Sequence, residues 1–263
     1  MKIYDCFIFN DELELLELRL METYDLVDVF VLVESDMNWQ LKEKPLFYRE
    51  NKDRFKKWHS KIISLAVDLP KEPYPIAETA QRDFLDIGVL NAGPNDIIIV
   101  SDADEILSRR ALKWLRKNPP LDPVTFKQHL YYYYVNCLQN QPWRGPVASM
   151  RRDVDPLYAH AVRKTRHRIE TVDMGGWHFS WLGNLERLQY KLRCHTIEAD
   201  SKGAIVPPDP NDVKYLKDCL SNGNDLFGRD EFETEKRFVE IEPGTKHPKA
   251  ITEWLEKYPE MAR

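Results

Sequence analysis

The chain has 263 residues, of which 43% are hydrophobic, and carries a formal net charge of −5 at pH 7. This length and apolar content suffice to bury one sizeable core, which argues against intrinsic disorder. The acidic balance argues against a nucleic-acid partner, although it leaves room for a local basic pocket. The first 20 residues contain no basic region followed by an apolar stretch of signal-peptide length, and no stretch of about 18 uninterrupted apolar residues occurs in the sequence. We therefore expect a cytoplasmic, soluble protein without an integral membrane segment.

The first hundred residues alternate between the periodicities of strands and helices. Four apolar runs predict strands, at residues 3–9, 27–36, 61–69 and 96–102. Three helices are predicted between them: one capped by Asn10 or Asp11 and running to about Thr23, a short basic one near residues 52–58, and one with an inner face of Ile76, Ala80, Phe84 and Ile87. This order predicts an α/β fold with a mainly parallel central sheet and helices on both faces.

The second half is less regular. The predicted elements are a helix at 109–117, a long aromatic strand at 124–136, irregular chain at 143–144 and 150–152, a strand carrying Trp177 and His178, a helix with Leu185, Leu188 and Leu192 inward, and helices near 211–220 and 249–258. Tyr131 to Tyr134 should alternate across their strand, two inward and two toward a cleft. Without any Cys-x-x-Cys pair, free and mostly buried thiols are predicted for Cys6, Cys137, Cys194 and Cys219.

The segment IIIVSDADEIL, residues 97–107, places three carboxylates at the end of a buried-strand pattern. Clustered carboxylates repel one another unless a cation or hydrogen-bond donors lie among them. Ligands of parallel sheets bind outside the carboxyl ends of the strands, and Asp102 and Asp104 supply oxygen ligands suited to Mn²⁺ or Mg²⁺ beside a diphosphate. Two alternatives stay open. The aspartates cap the following helix, or they serve a haloacid-dehalogenase-type phosphatase, whose motif normally follows the first strand rather than the fourth.

Several blocks resemble glycosyltransferase family 17 in their order and spacing, over nearly the whole chain. They are YDCFIFNDELELLELRL, VDVFVLVESD, AQRDFL, NDIIIVSDADEI, GGWHFSW with a downstream KL, and DLFGR. The resemblance implies a GT-A-like fold in a single domain, residues 1–263, with a nucleotide-sugar-binding half (1–108) and an acceptor-side half with the C-terminal helices (109–263). It also implies metal-dependent, inverting transfer of a sugar such as N-acetylglucosamine from a UDP-sugar to an oligosaccharide or glycoprotein acceptor, with Mn²⁺ or Mg²⁺ as cofactor.

We expect the chain to lack the membrane anchor and the luminal features of the vertebrate members. We therefore expect a bacterial or viral glycan as acceptor rather than the bisected N-glycan. The rival functions are a metal-dependent phosphatase or sugar-phosphate hydrolase, and a carbohydrate-binding protein that kept the fold and lost turnover. The intact pair Asp102 and Asp104 argues against such a loss.

The resemblance also implies roles for residues near the Asp-x-Asp motif. Asp104 is expected to contact the metal directly, and Asp102 to contact the metal, the ribose or the sugar hydroxyls. Glu105 is expected to be a helix N-terminal acid, with the alternative that it contacts the metal-binding residues without contacting the metal itself. His178 is the candidate third metal ligand, since neutral imidazole is an acceptable ligand of Mn²⁺. The alternative for His178 is a hydrogen-bonded core histidine.

The donor sugar nucleotide is expected to lie along the strand ends. Its predicted contacts are Phe9, Asn10 and Glu12 around the nucleobase, Glu34 at the uridine or ribose, Arg82 at the diphosphate, and Trp177 as a flat surface for the sugar, with Gly175 and Gly176 allowing close approach of the backbone. The basic residues Arg163, Lys164, Arg166 and Arg168 are expected to form a solvated face rather than a phosphate site.

Direct inversion requires a carboxylate that takes the proton of the acceptor hydroxyl. Glu186, in the first turn of the helix after WLGN, is the leading candidate for this general base. Asp173 and Glu170 are the alternative candidates. A glutamate in the first turn of a helix also has a purely structural explanation, since it interacts favourably with the helix dipole.

Overall fold

The structure is a computed structural model that describes residues 1–194, 208–229 and 237–263. Its strands are β1 (Ile3–Ile8), β2 (Val29–Glu34), β3 (Ile62–Ala66), β4 (Ile97–Asp102), β5 (Glu105–Leu107), β6 (Val124–Tyr132), β7 (Cys137–Leu138), β8 (Trp143–Met150), β9 (Glu170–Ser180) and β10 (Arg237–Phe238). Its α-helices are α1 (Leu13–Thr23), α2 (Phe47–Glu50), α3 (Ile76–Asp83), α4 (Leu85–Gly88), α5 (Arg109–Lys117), α6 (Ala159–Lys164), α7 (Leu185–Cys194), α8 (Val213–Asn222) and α9 (Ile251–Lys257). Short 3₁₀ helices cover Lys52–Lys61, Arg151–Asp153, Thr165–His167 and Pro259–Met261. The sequence NGNDLFGRDEF, residues 222–232, is typical of turns and lies partly outside the described residues.

The sheet begins with four parallel strands in the order β3-β2-β1-β4. Because parallel strands end at the same edge of a sheet, the polar segments that follow β1 and β4 meet there. Strand β8 then pairs antiparallel with β4, β6 pairs antiparallel with β8, and β9 runs parallel to β6. The predicted α/β class is confirmed, and the second half of the chain extends the sheet that the first half begins.

Alternate residues of the central strands feed two hydrophobic cores, one on each face of the sheet. Phe7, Ile97 and Ile99 pack with α1 and α5 on one face. Cys6 and Ile98 pack with α4 and α6 on the other. Each such buried side chain contributes about 1.5–3 kcal/mol relative to an exposed one, so these strands are fixed in register by both faces.

The inner face predicted for the helix before β4 is wrong. Ile76 and Ile87 are each 48% exposed, whereas Ala77, Gln81 and Arg82 are buried. The reason is that the helix covers a polar cleft rather than an apolar core. Gln81 donates to the carbonyl oxygen of Val33 at 3.2 Å and accepts from the indole of Trp39 at 2.7 Å.

Three further local predictions are wrong. Neither Asn10 nor Asp11 caps α1, whose N-cap position is Glu12 and has no side-chain cap. The chain predicted as irregular at 143–144 and 150–152 instead belongs to β8, six of whose eight residues are buried, and to the 3₁₀ helix Arg151–Asp153. The tyrosine run does not alternate as a strand throughout, because β6 ends at Tyr132 and Tyr133 has a φ of 63°.

The thiol prediction is confirmed: all four cysteines are free, three are buried and Cys194 is partly exposed. Over the three ranges that the structure covers, no helix combines the length and the apolar character needed to cross a bilayer.

The buried His247 ring predicts a pH dependence of folding. Its Nδ1 accepts from the Glu242 amide at 3.0 Å, and its Nε2 lies 3.1 Å from the carbonyl oxygen of Val135. Burial lowers the pKa of His247 to about 4. An unfolded histidine has a pKa near ~6.5, so the unfolded state binds more protons as the pH falls below that value. We expect the free energy of unfolding to decrease as the pH is lowered from 6.5 to 4.

The measurement is urea unfolding at several pH values for the wild type and His247→Gln. The variant should be less stable at pH 7 but show a shallower dependence on pH, since one titrating ring is gone. Equal slopes for the two proteins would refute the assignment.

Candidate active site

A cleft of about 500 Å³ lies at the carboxyl edge of the parallel strands. Its walls come from the segments after β1 and β4, and from α3, α6, β9 and α7. Seven of the residues proposed from the sequence line it, namely Phe9, Asn10, Glu12, Arg82, Asp102, Asp104 and His178. The carboxylates among the cleft residues that the structure describes belong to Glu12, Glu78, Asp102 and Asp104.

The backbone of the Asp-x-Asp segment is bound by the side chain of Arg19, a residue of α1 that is 1% exposed. Its guanidinium donates to the carbonyl oxygens of Asp102 and Glu105, each at 3.0 Å, and to the Ser101 hydroxyl at 2.6 Å. The Asp5 carboxylate of β1 balances the charge, with Nε to Oδ2 at 2.7 Å. One buried cation thus fixes the backbone that carries both aspartates.

Asp102 is bound by two buried arginines. Arg82 of α3 donates to its Oδ1 at 2.7 Å, and Arg163 of α6 donates to its Oδ2 at 2.5 Å. Burial alone would raise the pKa of Asp102, but Arg163 and Arg82 outweigh burial and hold this pKa well below its usual range. The predicted solvated face is therefore wrong for Arg163, which is buried inside the site.

The two aspartates do not cap a helix, because β5 follows them and Ser108 caps α5 through the Ala111 amide at 3.0 Å. The expectation of a helix N-terminal acid is accordingly wrong for Glu105, which is fully buried in β5. Its Oε1 accepts from Arg163 and from the Trp143 indole, each at 2.5 Å.

Asp104 meets two cationic or potentially cationic side chains at the cleft surface. Its Oδ1 lies 3.4 Å from Nε2 of His178, and its Oδ2 lies 3.3 Å from Nζ of Lys191 on α7. Burial opposes ionisation of Asp104, but Lys191 and His178 outweigh it and hold the pKa of this carboxyl well below its usual range. The second contact of Lys191 is Oε1 of Glu12 at 3.7 Å.

This donor set fits a hard divalent cation with two protein ligands. Asp104 offers carboxylate oxygens and His178 an imidazole, and Lys191 already places a positive charge against the same carboxylate. Mg²⁺ keeps several waters and takes phosphate oxygens, so two protein ligands suffice for it. Among the described residues no group of three or more His, Cys, Asp and Glu side chains is arranged as a metal site. Asp102 does not complete one, because both of its oxygens accept from arginine.

The segment after β1 gives the cleft a pocket with unsatisfied polar atoms. Phe9 packs edge-on against Tyr48 with ring centroids 6.5 Å apart. Oδ1 of Asn10 and Nζ of Lys44 are buried without a hydrogen-bond partner in the structure. Burial raises the pKa of Glu12, against the opposing effect of Lys191. A ligand with both donors and acceptors, such as a nucleobase, would satisfy these atoms.

Two residues predicted to bind the donor lie outside the cleft. Neighbouring side chains of a strand point to opposite faces, so Trp177 of β9 enters the hydrophobic core while His178 faces the cleft. Glu34 is buried and accepts from the backbone amides of Tyr48 and Arg49 at 2.9 and 3.0 Å, which satisfies the start of α2. The predicted contacts of Trp177 and Glu34 with the donor are therefore wrong.

The glycines before Trp177 also serve packing rather than ligand approach. Gly176 has a φ of 122°, and a Cβ there would lie 2.1 Å from the carbonyl oxygen of Ile106. A Cβ on Gly175 would lie 2.5 Å from that of Phe126. The two glycines therefore let β9 approach β5 and β6 closely.

The structure does not bring the three candidate general bases into the cleft. Glu186 is exposed in the first turn of α7 and is absent from the cleft lining. The Asp173 side chain is 75% exposed and lies 3.7 Å from Lys127. Glu170 is exposed at the beginning of β9, at the opposite end from His178.

Four residues to which the sequence analysis gave no role shape the site: Arg19, Lys44, Trp143 and Lys191. Two of them could have been recognised from a feature of the sequence. Lys191 belongs to the Lys-Leu pair of the family resemblance, and Arg19 is a charged residue between two buried leucines. The sequence around Lys44 and Trp143 has no feature that would have indicated their place in the site.

We expect Arg19→Met to destabilise the protein by about 3–5 kcal/mol, because it leaves the Asp5 carboxylate buried without a counter-charge. The double variant Asp5→Asn/Arg19→Met should cost less than the sum of the single changes, because it removes both charges. Urea unfolding of the four proteins measures this coupling. Additive effects would show that the two side chains act independently.

The comparisons with known proteins agree with the resemblance in the sequence blocks. The beta-1,4-mannosyl-glycoprotein 4-beta-N-acetylglucosaminyltransferase of Homo sapiens is 26% identical over 284 residues, covering 95% of this chain and 52% of that protein. The protein of the same name from Rattus norvegicus is 24% identical over 292 residues, covering 98% and 53%. The chain thus spans about half the length of these relatives.

The 4-diphosphocytidyl-2C-methyl-D-erythritol synthase of Anaerococcus prevotii superposes with a TM-score of 0.42 at 10% identity, covering 72% of this chain and 95% of that chain. The model of glycosyltransferase family 17 matches residues 1–241, most of the chain. The chain belongs to glycosyltransferase family 17.

Proposed function

We propose that this chain is a glycosyltransferase that moves N-acetylglucosamine from UDP-N-acetylglucosamine to a glycan acceptor, with inversion at the anomeric carbon. The observation that carries the proposal is the position of Asp104, which faces the cleft at the carboxyl edge of the sheet beside His178 and Lys191. Family membership supports the reaction class. The relatives named for N-acetylglucosaminyl transfer support the donor sugar.

The cleft has separate regions for the parts of such a donor. Asn10 offers an unsatisfied amide oxygen to the nucleobase, beside the buried ring of Phe9. The cations around Asp102 and Asp104 attract the diphosphate. Trp143 and Trp181 line the same cleft and present apolar surfaces on which sugar rings pack.

Asp104 and His178 would hold the Mn²⁺ or Mg²⁺ ion, which when bound supplies positive charge opposite the leaving diphosphate. Asp102 has a different task in this proposal. It accepts hydrogen bonds from Arg82 and Arg163 at the edge of the cleft and so holds the loop that presents Asp104. Removing Asp102 would therefore disturb two arginines as well as the loop.

Two observations disfavour a phosphatase. A nucleophilic aspartate needs a free carboxylate oxygen, but both oxygens of Asp102 accept hydrogen bonds from buried arginines. The motif also follows β4, whereas the residues that follow β1 are Phe9 and Asn10.

Asp104→Asn should weaken the Mn²⁺-dependent binding of UDP-N-acetylglucosamine by about 100-fold or more, because the ion loses its charged ligand. Calorimetric titration of the purified protein with UDP- and GDP-sugars, with Mn²⁺ and after chelation, measures this. The matched control is Asp173→Asn, which removes the same charge from an exposed position outside the cleft. It should bind like the wild type.

Transfer is tested with the same variants and a panel of bacterial and eukaryotic glycans, and the anomeric configuration of the product is read by proton NMR. Binding of UDP-N-acetylglucosamine without metal dependence, or equal losses in both variants, would contradict the proposal. A product that retains the α-configuration of the donor would contradict inversion.

A further inference from the structure

Lys191 differs from the arginines of the cleft in how it is held. Arg82 and Arg163 donate to Asp102 at 2.7 and 2.5 Å, and both are buried. Lys191 reaches Asp104 at 3.3 Å and Glu12 at 3.7 Å, longer than the about 2.7–2.9 Å of a strong charge-assisted hydrogen bond. Its ammonium is therefore the more loosely held of these charges.

The surroundings of Lys191 also leave it room to exchange partners. Its Nζ lies 5.4 Å from the ring centroid of Trp181, on the cleft side of α7. A lysine carries a compact charge on a flexible four-carbon stem, whereas an arginine fork is fixed by paired hydrogen bonds. A rotation of the stem moves the charge within the cleft without moving the helix.

We propose that Lys191 is an exchangeable counter-cation of the cleft. Before ligands bind, it neutralises Asp104 and Glu12, whose charges would otherwise repel each other. It competes with the divalent ion for Asp104, and once displaced it contacts the diphosphate of the donor. The second half of this inference rests on the proposed function, whereas the competition for Asp104 does not.

The first test is Mn²⁺ binding without nucleotide, followed by electron paramagnetic resonance of the free ion. Lys191→Met should bind Mn²⁺ about tenfold more tightly than the wild type, because a competing positive charge is gone. The matched control is Lys44→Met, which removes a charge from the same cleft at a side chain without a hydrogen-bond partner in the structure. It should change the affinity for Mn²⁺ much less.

The second test is UDP binding at an Mn²⁺ concentration that saturates every variant, compared with uridine under the same conditions. Lys191→Met should bind UDP about tenfold more weakly and uridine as the wild type does, because Lys191 contacts only the diphosphate. Lys191→Arg keeps the charge, so its affinities should lie between those of the wild type and of Lys191→Met. Thermal unfolding of each variant confirms that it is folded.

An Mn²⁺ affinity of Lys191→Met equal to or below that of Lys44→Met would overturn the competition. An unchanged affinity for UDP, or an equal loss for uridine, would overturn the contact with the diphosphate. Failure of the proposed function has a different signature: the wild type would then bind no UDP at any Mn²⁺ concentration. The Mn²⁺ titrations of the variants need no nucleotide and remain decisive for the competition.

Discussion

The site depends on one buried guanidinium. Arg19 binds the backbone carbonyl oxygens of Asp102 and Glu105, the Ser101 hydroxyl and the Asp5 carboxylate, so it ties α1, β1 and the end of β4 together. The segment at the end of β4 carries three carboxylates in four positions. Their mutual repulsion does not favour any single conformation of the backbone. Arg19 satisfies its carbonyl groups from inside the protein, where an unpaired group would be costly. The carboxylates of Asp102 and Asp104 can then both face the cleft.

With the loop fixed, the two aspartates have opposite environments. Asp102 lies among arginines that are themselves buried, and its partner Arg163 continues to Glu105 behind it. Such a network is held together because removing any member leaves a charge buried and unpaired. Asp104 instead meets a lysine and a histidine at longer distances. The motif thus combines one carboxylate that organises the cleft with one that remains available to a ligand.

The sequence predicted well those features that depend on the backbone order of the chain. Strand periodicity located β1 to β4, and the topology rule for parallel sheets placed Asp102, Asp104 and Asn10 at one edge. His178, which the family resemblance proposed as a metal ligand, also lines the cleft, because the strand that carries it ends beside the same edge. Among the residues predicted to bind the donor, the errors concern the direction of side chains. Trp177 turns away because neighbouring positions of a strand alternate, and Glu34 turns toward the amides that begin α2.

The contacts that distinguish Asp104 from Asp102 were beyond sequence reasoning for a physical reason. Lys191 lies 87 positions from Asp104, and Arg163 lies 61 positions from Asp102. Each pair forms only when separate helices pack on the sheet. Neither helix propensity nor the hydrophobic period of the sequence predicts which charged side chain of a helix will then lie beside the aspartates. A single sequence therefore shows that a cation is needed beside these carboxylates, whereas only the packed fold shows which side chains supply it. The same packing decides which of those charges can be exchanged, since an arginine buried between two carboxylates cannot leave and a lysine at the cleft surface can.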